Sequence, residues 1–588
     1  MDNLYKTHKP YYRYFSLLAI VILGVVSLLG SGGGGDSTPP PPSGPDVIGV
    51  LPLQNSNTAL VTTEVTARFS KSMAPLTINP SSFLLRLSGS TQISGSIDYY
   101  AQYEGHDNVA VFVPTNDLDI GKEYIATLTT EITDTDSEPL SNDYVWSFFI
   151  APSPVPISTN AAGSFGTSGI DISSSSMPNA TGEYVVFAST DDLAGPGTNS
   201  YSQIYRKNTI TRGVELVSIS SNNQNIANGN CAAPRISDTG RYIVFSSTAN
   251  NLDPSITLPS TGISHIYLKD MRDGTISLLD KSTTPGQAGN NNSYKPDISG
   301  IPDTGSGKYV VFESTATDLH VNDADDTSDI FLINVVSGNI DLISVDSNEV
   351  KGGAASLAPR VSDNGRRVVF ESIATNLVAD DTNGKSDIFL RNFGPDNTTS
   401  TDDDTTRISV ASDGSQVTGG SVGSTNADIS ADGKFAVFQS DQPNLDSAND
   451  TNSTITDVFL RDINTPATTI MSVAENGSVP PVAGDAASTL PSISGDGRYI
   501  AFESLATTLL GVDNDTNGQS DIFVRDKSSS KISRVSTDIN GDQVNGTSTT
   551  AAISADARYV SFTTPYAFET ADGNGNSDIY RAYNAALP

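Results

Sequence analysis

Between residues 180 and 564 one pattern recurs seven times: a polar turn followed by an aromatic-rich hydrophobic strand. The copies are ATGEYVVFAS (180–189), DTGRYIVFSS (238–247), GSGKYVVFES (305–314), DNGRRVVFES (363–372), ADGKFAVFQS (431–440), GDGRYIAFES (495–504) and ADARYVSFTT (555–564). Their equivalent positions Tyr184, Tyr242, Tyr309, Arg367, Phe435, Tyr499 and Tyr559 stand 58 to 68 residues apart. A repeat of this kind is one supersecondary unit that buries its faces against copies of itself, so the fold follows from the shape of one unit.

Each unit reads as four strands. PRIS, PDIS, PRVS, ADIS, PSIS and AAIS lead into the turn in units two to seven. A strand after the turn-strand unit reads QIYRKN, HIYLKD, DIFLIN, DIFLRN, DVFLRD, DIFVRD and DIYRAY, and a last one, such as RISVAS (407–412) or SRVSTD (533–538), closes the unit. Asp/Asn-Gly turns are hairpin chemistry because their φ values suit Gly and Asn. Four-stranded sheets repeated around an axis make a propeller. The S-x-D-G-[RK]-[YF]-[IV]-x-F turn and strand resembles the TolB-like (WD40-like) propeller family, a likeness that implies fold and is nearly silent on function. Unit seven reaches Pro588 without a closing strand, and Val155-Pro156-Ile157-Ser158-Thr159 resembles the missing piece. That segment is expected to complete the last blade and remove an exposed sheet edge.

Residues 47–151 show period-two alternation in Val61-Thr63-Val65-Ala67-Phe69, Tyr124-Ala126-Leu128 and Tyr144-Trp146-Phe148, as strands of a sandwich do. The segments FSKSMAPLTINPSSFLL (69–85), VFVPTNDLDIGKEYIATLT (111–129) and LSNDYVWSFFI (140–150) resemble the bacterial Ig-like domain of S-layer proteins. That likeness implies a spacer or adhesion module, with Thr133-Asp134-Thr135-Asp136-Ser137 replacing the family's usual Asp-x-x-Gly-Asn turn. The predicted class is therefore all-β: an Ig-like β-sandwich followed by a seven-bladed β-propeller of four-stranded blades over 152–588.

Ahead of them, Lys6, His8, Lys9 and Arg13 flank the apolar run 15–30, which makes residues 1–30 a signal peptide or membrane anchor. Ser31 stands where a lipoprotein box would carry its lipidated Cys, so the segment is either cleaved near Gly30–Gly32 or kept as an anchor. Residues 31–46 (SGGGGDSTPPPPSGPD) form a Gly/Pro-rich tether. The expected location is the periplasm, cell surface or exterior, with membrane contact through the N-terminal segment alone.

With 33 Lys+Arg against 67 Asp+Glu, the formal charge of -34 repels phosphate backbones and excludes nucleic acid as a partner. Cys231, the single cysteine, permits no intrachain disulfide and is expected to be a buried or half-buried thiol. The strongest polar constellation is Asp513, Asp515, Asn517 and Asp521 in unit six, a D-x-D-x-N-G-x-x-D string that resembles the calcium loops of integrin-type propellers. Weaker copies are Asp323, Asp325 and Asp329; Asp381, Asn383 and Asp387; Asp450, Asn452 and Asp457; and Asp572, Asn574 and Asp578. Units one and two end the loop with Gln203 and His265. Two readings stand side by side: calcium ligands, calcium being the one cofactor considered, or Asx side chains that build turns.

No catalytic residue is assigned. His8, His106, His265 and His320 are scattered, and Gly419–Gly423 matches G-x-S-x-G without the strand-turn-helix setting of an elbow. The ring is expected to take up the chain to residue 588, so no hydrolase domain is expected after it. The leading reading is a monomeric, non-enzymatic exported protein whose propeller binds a protein or glycan. The competing one is a secreted glycan lyase or hydrolase with its site in the propeller funnel.

Overall fold

The computed structural model describes residues 44–588 apart from 53, 55, 60–62, 91, 104–105, 120–121, 151–153, 167–175, 196–199, 222–224, 259, 301–307, 394–402, 453, 475–482, 512–513, 539–540, 569–571, 585 and 588. The apolar N-terminal run, most of the tether, Val61 and Asp513 lie outside the described residues. Among those described, no helix is long and apolar enough to cross a membrane. The chain divides into two compact units, Met1–Pro152 and Ser153–Pro588.

The first unit is a sandwich of two four-stranded sheets. One orders Val47–Leu51, Val65–Phe69, His106–Pro114 and Gly95–Tyr103; the other orders Ser56–Ala59, Tyr144–Ile150, Glu123–Leu128 and Phe83–Leu87. Alternation works as sheet physics requires, with Val65, Ala67 and Phe69 buried and the residues between them half-buried. Phe83 packs against Phe112 and Trp146 at ring separations of 5.7 and 6.1 Å, and Trp146 is core. The departing turn is built by Asp134, whose Oδ1 accepts the N–H groups of Asp136 and Glu138 at 3.0 and 2.9 Å.

The second unit is seven four-stranded antiparallel sheets. Blade 3 shows the plan: an inner strand Ser293–Ile298, a second strand Tyr309–Ser314, a third Asp329–Asn334 and an outer Ile340–Leu342. Second strands such as Tyr242–Ser247 and Tyr309–Ser314 are buried at every residue, because both faces of a blade pack on its neighbours. The repeated Phe of the second strand stacks on the aromatic opposite it in the third, as in Phe312–Phe331 at 5.8 Å and Phe438–Phe459 at 6.0 Å. Gly240 in the turn of blade 2 has φ +76°, and a Cβ there would stand 2.7 Å from the Tyr184 ring of blade 1. Glycine is required there twice over.

Blade 7 consists of Thr549–Ile553, Tyr559–Thr564, Asp578–Tyr583 and Val155–Pro156, the last pairing antiparallel with Asp578–Tyr583. The ring is thus closed by a strand from the beginning of the unit, as the likeness of Val155–Thr159 to the closing strands predicts. The outer strands are shorter and earlier than the sequence suggests. They run Asp404–Arg407 and Ile532–Arg534 rather than 407–412 and 533–538. The ladder stops because a serine hydroxyl takes over: Ser409 Oγ accepts the Ile388 N–H at 3.0 Å and donates to Asp387 at 2.6 Å.

Candidate functional site

That serine contact recurs in six of the seven blades, and blade 2 replaces the serine with an aspartate. Ser344 donates to Asp329 Oδ1, Ser409 to Asp387, Ser472 to Asp457, Ser536 to Asp521 and Ser158 to Asp578, each at 2.6 Å. Blade 1 uses Ser218 and Gln203 at 2.6 Å; blade 2 uses Asp280 and the Nδ1 of His265 at 2.9 Å. The final acid of each candidate loop is therefore first a latch between the third strand and the chain beyond the outer one. Burial pushes Asp329, Asp387 and Asp578 up to about 6 and Asp457 up to about 7, against the pull of the serine hydroxyls.

The other loop acids face polar side chains that arrive from later in the same blade. In blade 3 the carboxylates of Asp323, Asp325 and Asp329 converge within 4.8 Å, and Lys351 Nζ stands 3.3, 2.7 and 2.9 Å from them. Burial works against the Lys351 ammonium, but Asp325 and Asp329 outweigh it and hold its pKa above the ordinary lysine value. In blade 4 Gln416 donates to Asp381 at 3.0 Å, Arg407 lies 3.5 Å from it, and Asn383 donates to Asp387 at 3.2 Å. In blade 6 Gln543 Nε2 donates to Asp515 and Asp521 at 2.7 and 2.8 Å, while Arg534 lies 3.4 and 3.2 Å from them. Asn517 donates to the Val544 carbonyl at 2.8 Å. In blade 7 the Tyr580 hydroxyl donates to Asp572 at 2.7 Å, and Asn574 donates to Asp578 and to the Gly166 carbonyl at 3.0 Å.

A second polar site, which the sequence reading did not single out, lies on the propeller axis. Six inner strands carry a bulge whose residue has positive φ without being glycine: Ala233, Lys295, Ala358, Asn426, Leu490 and Thr550, at 44° to 54°. Such backbone persists where its surroundings hold it. The holders are the repeated Glu/Gln of FES and FQS: Glu313 accepts the Ala358 N–H at 2.7 Å, Gln439 that of Leu490 at 2.8 Å and Glu503 that of Thr550 at 3.0 Å. Below the bulges a cavity of about 310 Å³ is lined by Arg235, Asp297, Arg360 and Asp428 on one side and by Leu490, Pro491, Thr550 and Ala552 on the other. The charges alternate from blade to blade, with Arg235 Nε 3.6 Å from Asp297, and Asp297 and Asp428 accept the Val361 and Ile493 N–H groups of following blades at 3.0 Å. Burial lowers Arg235 to about 10, so it is cationic at neutral pH.

Beyond the cavity the turns bond from blade to blade: Asp363 N–H to Ala431, Ala431 to Gly495, Gly495 to Ala555 and Ala180 to Asp238. Asp238 and Asp363 meet there over Gly300, whose added Cβ would lie 2.5 Å from an oxygen of each. Burial, and for Asp238 the charge of Asp363, raises both carboxyls above the ordinary aspartate value. At the other end, where the inner strands begin, Tyr294, Leu357, Ile373, Val422 and Leu505 are exposed. The G-x-S-x-G string is also structural, since Asp441 accepts the Ser421 hydroxyl at 2.9 Å and the N–H groups of Ser421, Val422 and Gly423. Cys231 is fully buried, which pushes its thiol up to about 12.

Residues 42–149 match the bacterial Ig-like domain. Among curated proteins none matches the chain. Solved structures similar to it include an oligogalacturonate lyase from Vibrio parahaemolyticus, at 12% identity and TM-score 0.40, covering 73% of this chain and 91% of that one. A puromycin-hydrolyzing peptidase of Mycobacterium tuberculosis is 14% identical at TM-score 0.37, covering 74% of this chain and 57% of its own. A prolyl endopeptidase is 13% identical at TM-score 0.38, covering 73% and 52%. The chain thus spans little more than half of either peptidase, and at these identities the likeness concerns fold alone.

Proposed function

We propose that the chain is an exported bacterial protein of the periplasm or cell surface, with the Ig-like unit as spacer and the propeller as a protein-binding module. Its repeat motif supports placing the ring among TolB-like propellers, and the apolar N-terminal run supports export. The observation that carries the binding reading is the exposure of Tyr294, Leu357, Ile373, Val422 and Leu505 on one face of the ring, at the ends of inner and second strands. Clustered exposed aliphatic side chains favour a protein partner over a glycan, and a chain of net charge -34 favours one that carries Lys and Arg. The test is co-sedimentation of the purified full-length protein with cell-envelope fractions. Leu357→Ser with Leu505→Ser should abolish binding, while Val336→Ser, in the third-to-outer hairpin at the opposite face, should leave it intact. Equal behaviour of the two variants would refute the assignment of the face, and binding that survives protease treatment of the envelopes would point to a glycan.

A specific feature favours the second reading, a glycan lyase or hydrolase working in the funnel. Asp238 and Asp363 lie within twice 2.5 Å of each other with raised pKa values, as paired carboxyls in acid–base catalysis do. Turnover of an acidic or neutral glycan that Asp238→Asn abolishes would establish this reading in place of the first.

A further inference from the structure

We propose that blade 5 binds a divalent cation of the calcium type between Asp450, Asn452 and Asp457, in a position that blades 3, 4 and 6 fill with their own side chains. The argument is independent of what partner the propeller takes. It begins with register. Lys351 in blade 3, Gln416 in blade 4 and Gln543 in blade 6 occupy equivalent bridge positions, opposite Val345, Val410 and Thr537. The blade 5 equivalent, opposite Val473, is Ala483. Arg407 and Arg534 are equivalent to each other in the outer strands, opposite Phe389 and Phe523, and the blade 5 counterpart opposite Phe459 is Ile470. Both positions that send a donor or a cation into the other loops hold apolar side chains here.

The acceptors, however, remain. Asp457 is fully buried; Ser472 holds its Oδ1 at 2.6 Å, which leaves Oδ2 to the loop side, where the charge of Asp450 is felt. Oδ2 of Asp457 and Oδ1 of Asn452 are both inaccessible to solvent and accept no hydrogen bond of good geometry, although the Asn452 side chain lies close enough to the Asp457 carboxylate to lower its pKa. Asn452 is fixed by donating its Nδ2 to the Gly484 carbonyl at 2.8 Å. A buried carboxylate oxygen without a partner costs free energy on the order of a lost charged hydrogen bond, and an ion removes that cost. The donor set is all hard oxygen, two carboxylates and an amide from one loop, with Gly484 adjoining. Calcium takes such ligands at irregular geometry and completes its shell with water, whereas magnesium demands a stricter octahedron.

The test uses the purified full-length chain, stripped with chelator and titrated calorimetrically with calcium chloride alone. Wild type is expected to take up calcium in blade 5, and Asn452→Ala should weaken that uptake at least tenfold. Ala483→Lys, which gives blade 5 the lysine of blade 3, should abolish it and make the melting temperature insensitive to calcium. Absence of uptake by wild type overturns the proposal. So does uptake that Asn452→Ala leaves unchanged, and that variant decides the matter even where Ala483→Lys does not fold.

Discussion

Blades 3 and 5 carry the same kind of acidic loop, one residue longer in blade 5, and resolve it in different ways. In blade 3 three aspartates surround the Lys351 ammonium; in blade 5 the register positions that supply such a partner elsewhere hold Ile470 and Ala483. What separates a self-neutralised loop from a donor set is thus not the loop acids alone. It is one side chain that arrives 22 or more residues after the last acid, from the segment leading to the next blade. The same Asp latch to a serine closes both blades, so the fold tolerates either solution.

The largest effect should come from breaking the blade 3 solution. Lys351→Ala leaves Asp323 and Asp329 buried without their cation, a loss of about 3–5 kcal/mol for a broken buried pair. Urea denaturation in chelator measures it, and calcium should recover part of the loss, since the alanine recreates the blade 5 arrangement. Removing the latch should cost less. Ser472→Ala strands one buried Asp457 oxygen, worth about 1–3 kcal/mol by the same assay.

The axial pair offers acids that face each other with no such lysine between them. Asp238 and Asp363 have folded-state pKa values above the unfolded ones, so the native state holds more protons and stability falls as pH rises through that window. Besides Asp238, the groups that bear on Asp363 are the Gly300 N–H and the charges of Asp297 and Asp432. Asp363→Asn should therefore stabilise the protein near neutral pH by roughly 1 kcal/mol, and the gain should vanish below about pH 4. Melting temperatures across that range check the sign. The smallest effect should be on the Ig-like unit: Trp146, the single tryptophan, is buried there, and its fluorescence melting should not shift with calcium.

How much of this was legible follows from distance along the chain. The second and third strands are dense apolar hexapeptides with local turn chemistry, and the closing strand copies its siblings, so blade architecture could be read directly. The outer strands end earlier than the apolar pattern suggests, because the hydroxyls of Ser409 and Ser536 end the ladder inside it. The loop acids were found, but not their partners: no local pattern ties Arg534 to Asp515 or Lys351 to Asp323. Likewise the alternation of Arg235, Asp297, Arg360 and Asp428 stands in PRIS, PDIS, PRVS and ADIS, yet it becomes a lined cavity only once those strands surround an axis.

In blades 3, 4, 6 and 7 the chain itself supplies the loop cluster with a positive or hydrogen-bonding partner, and an ion is proposed to do so in blade 5. Anomalous scattering from crystals grown with manganese or calcium tests it most directly. A peak is expected among Asp450, Asn452 and Asp457, with the Lys351 ammonium in place among Asp323, Asp325 and Asp329. A peak in blade 3 with Lys351 displaced, or ordered density in blade 5 without an ion, would contradict it.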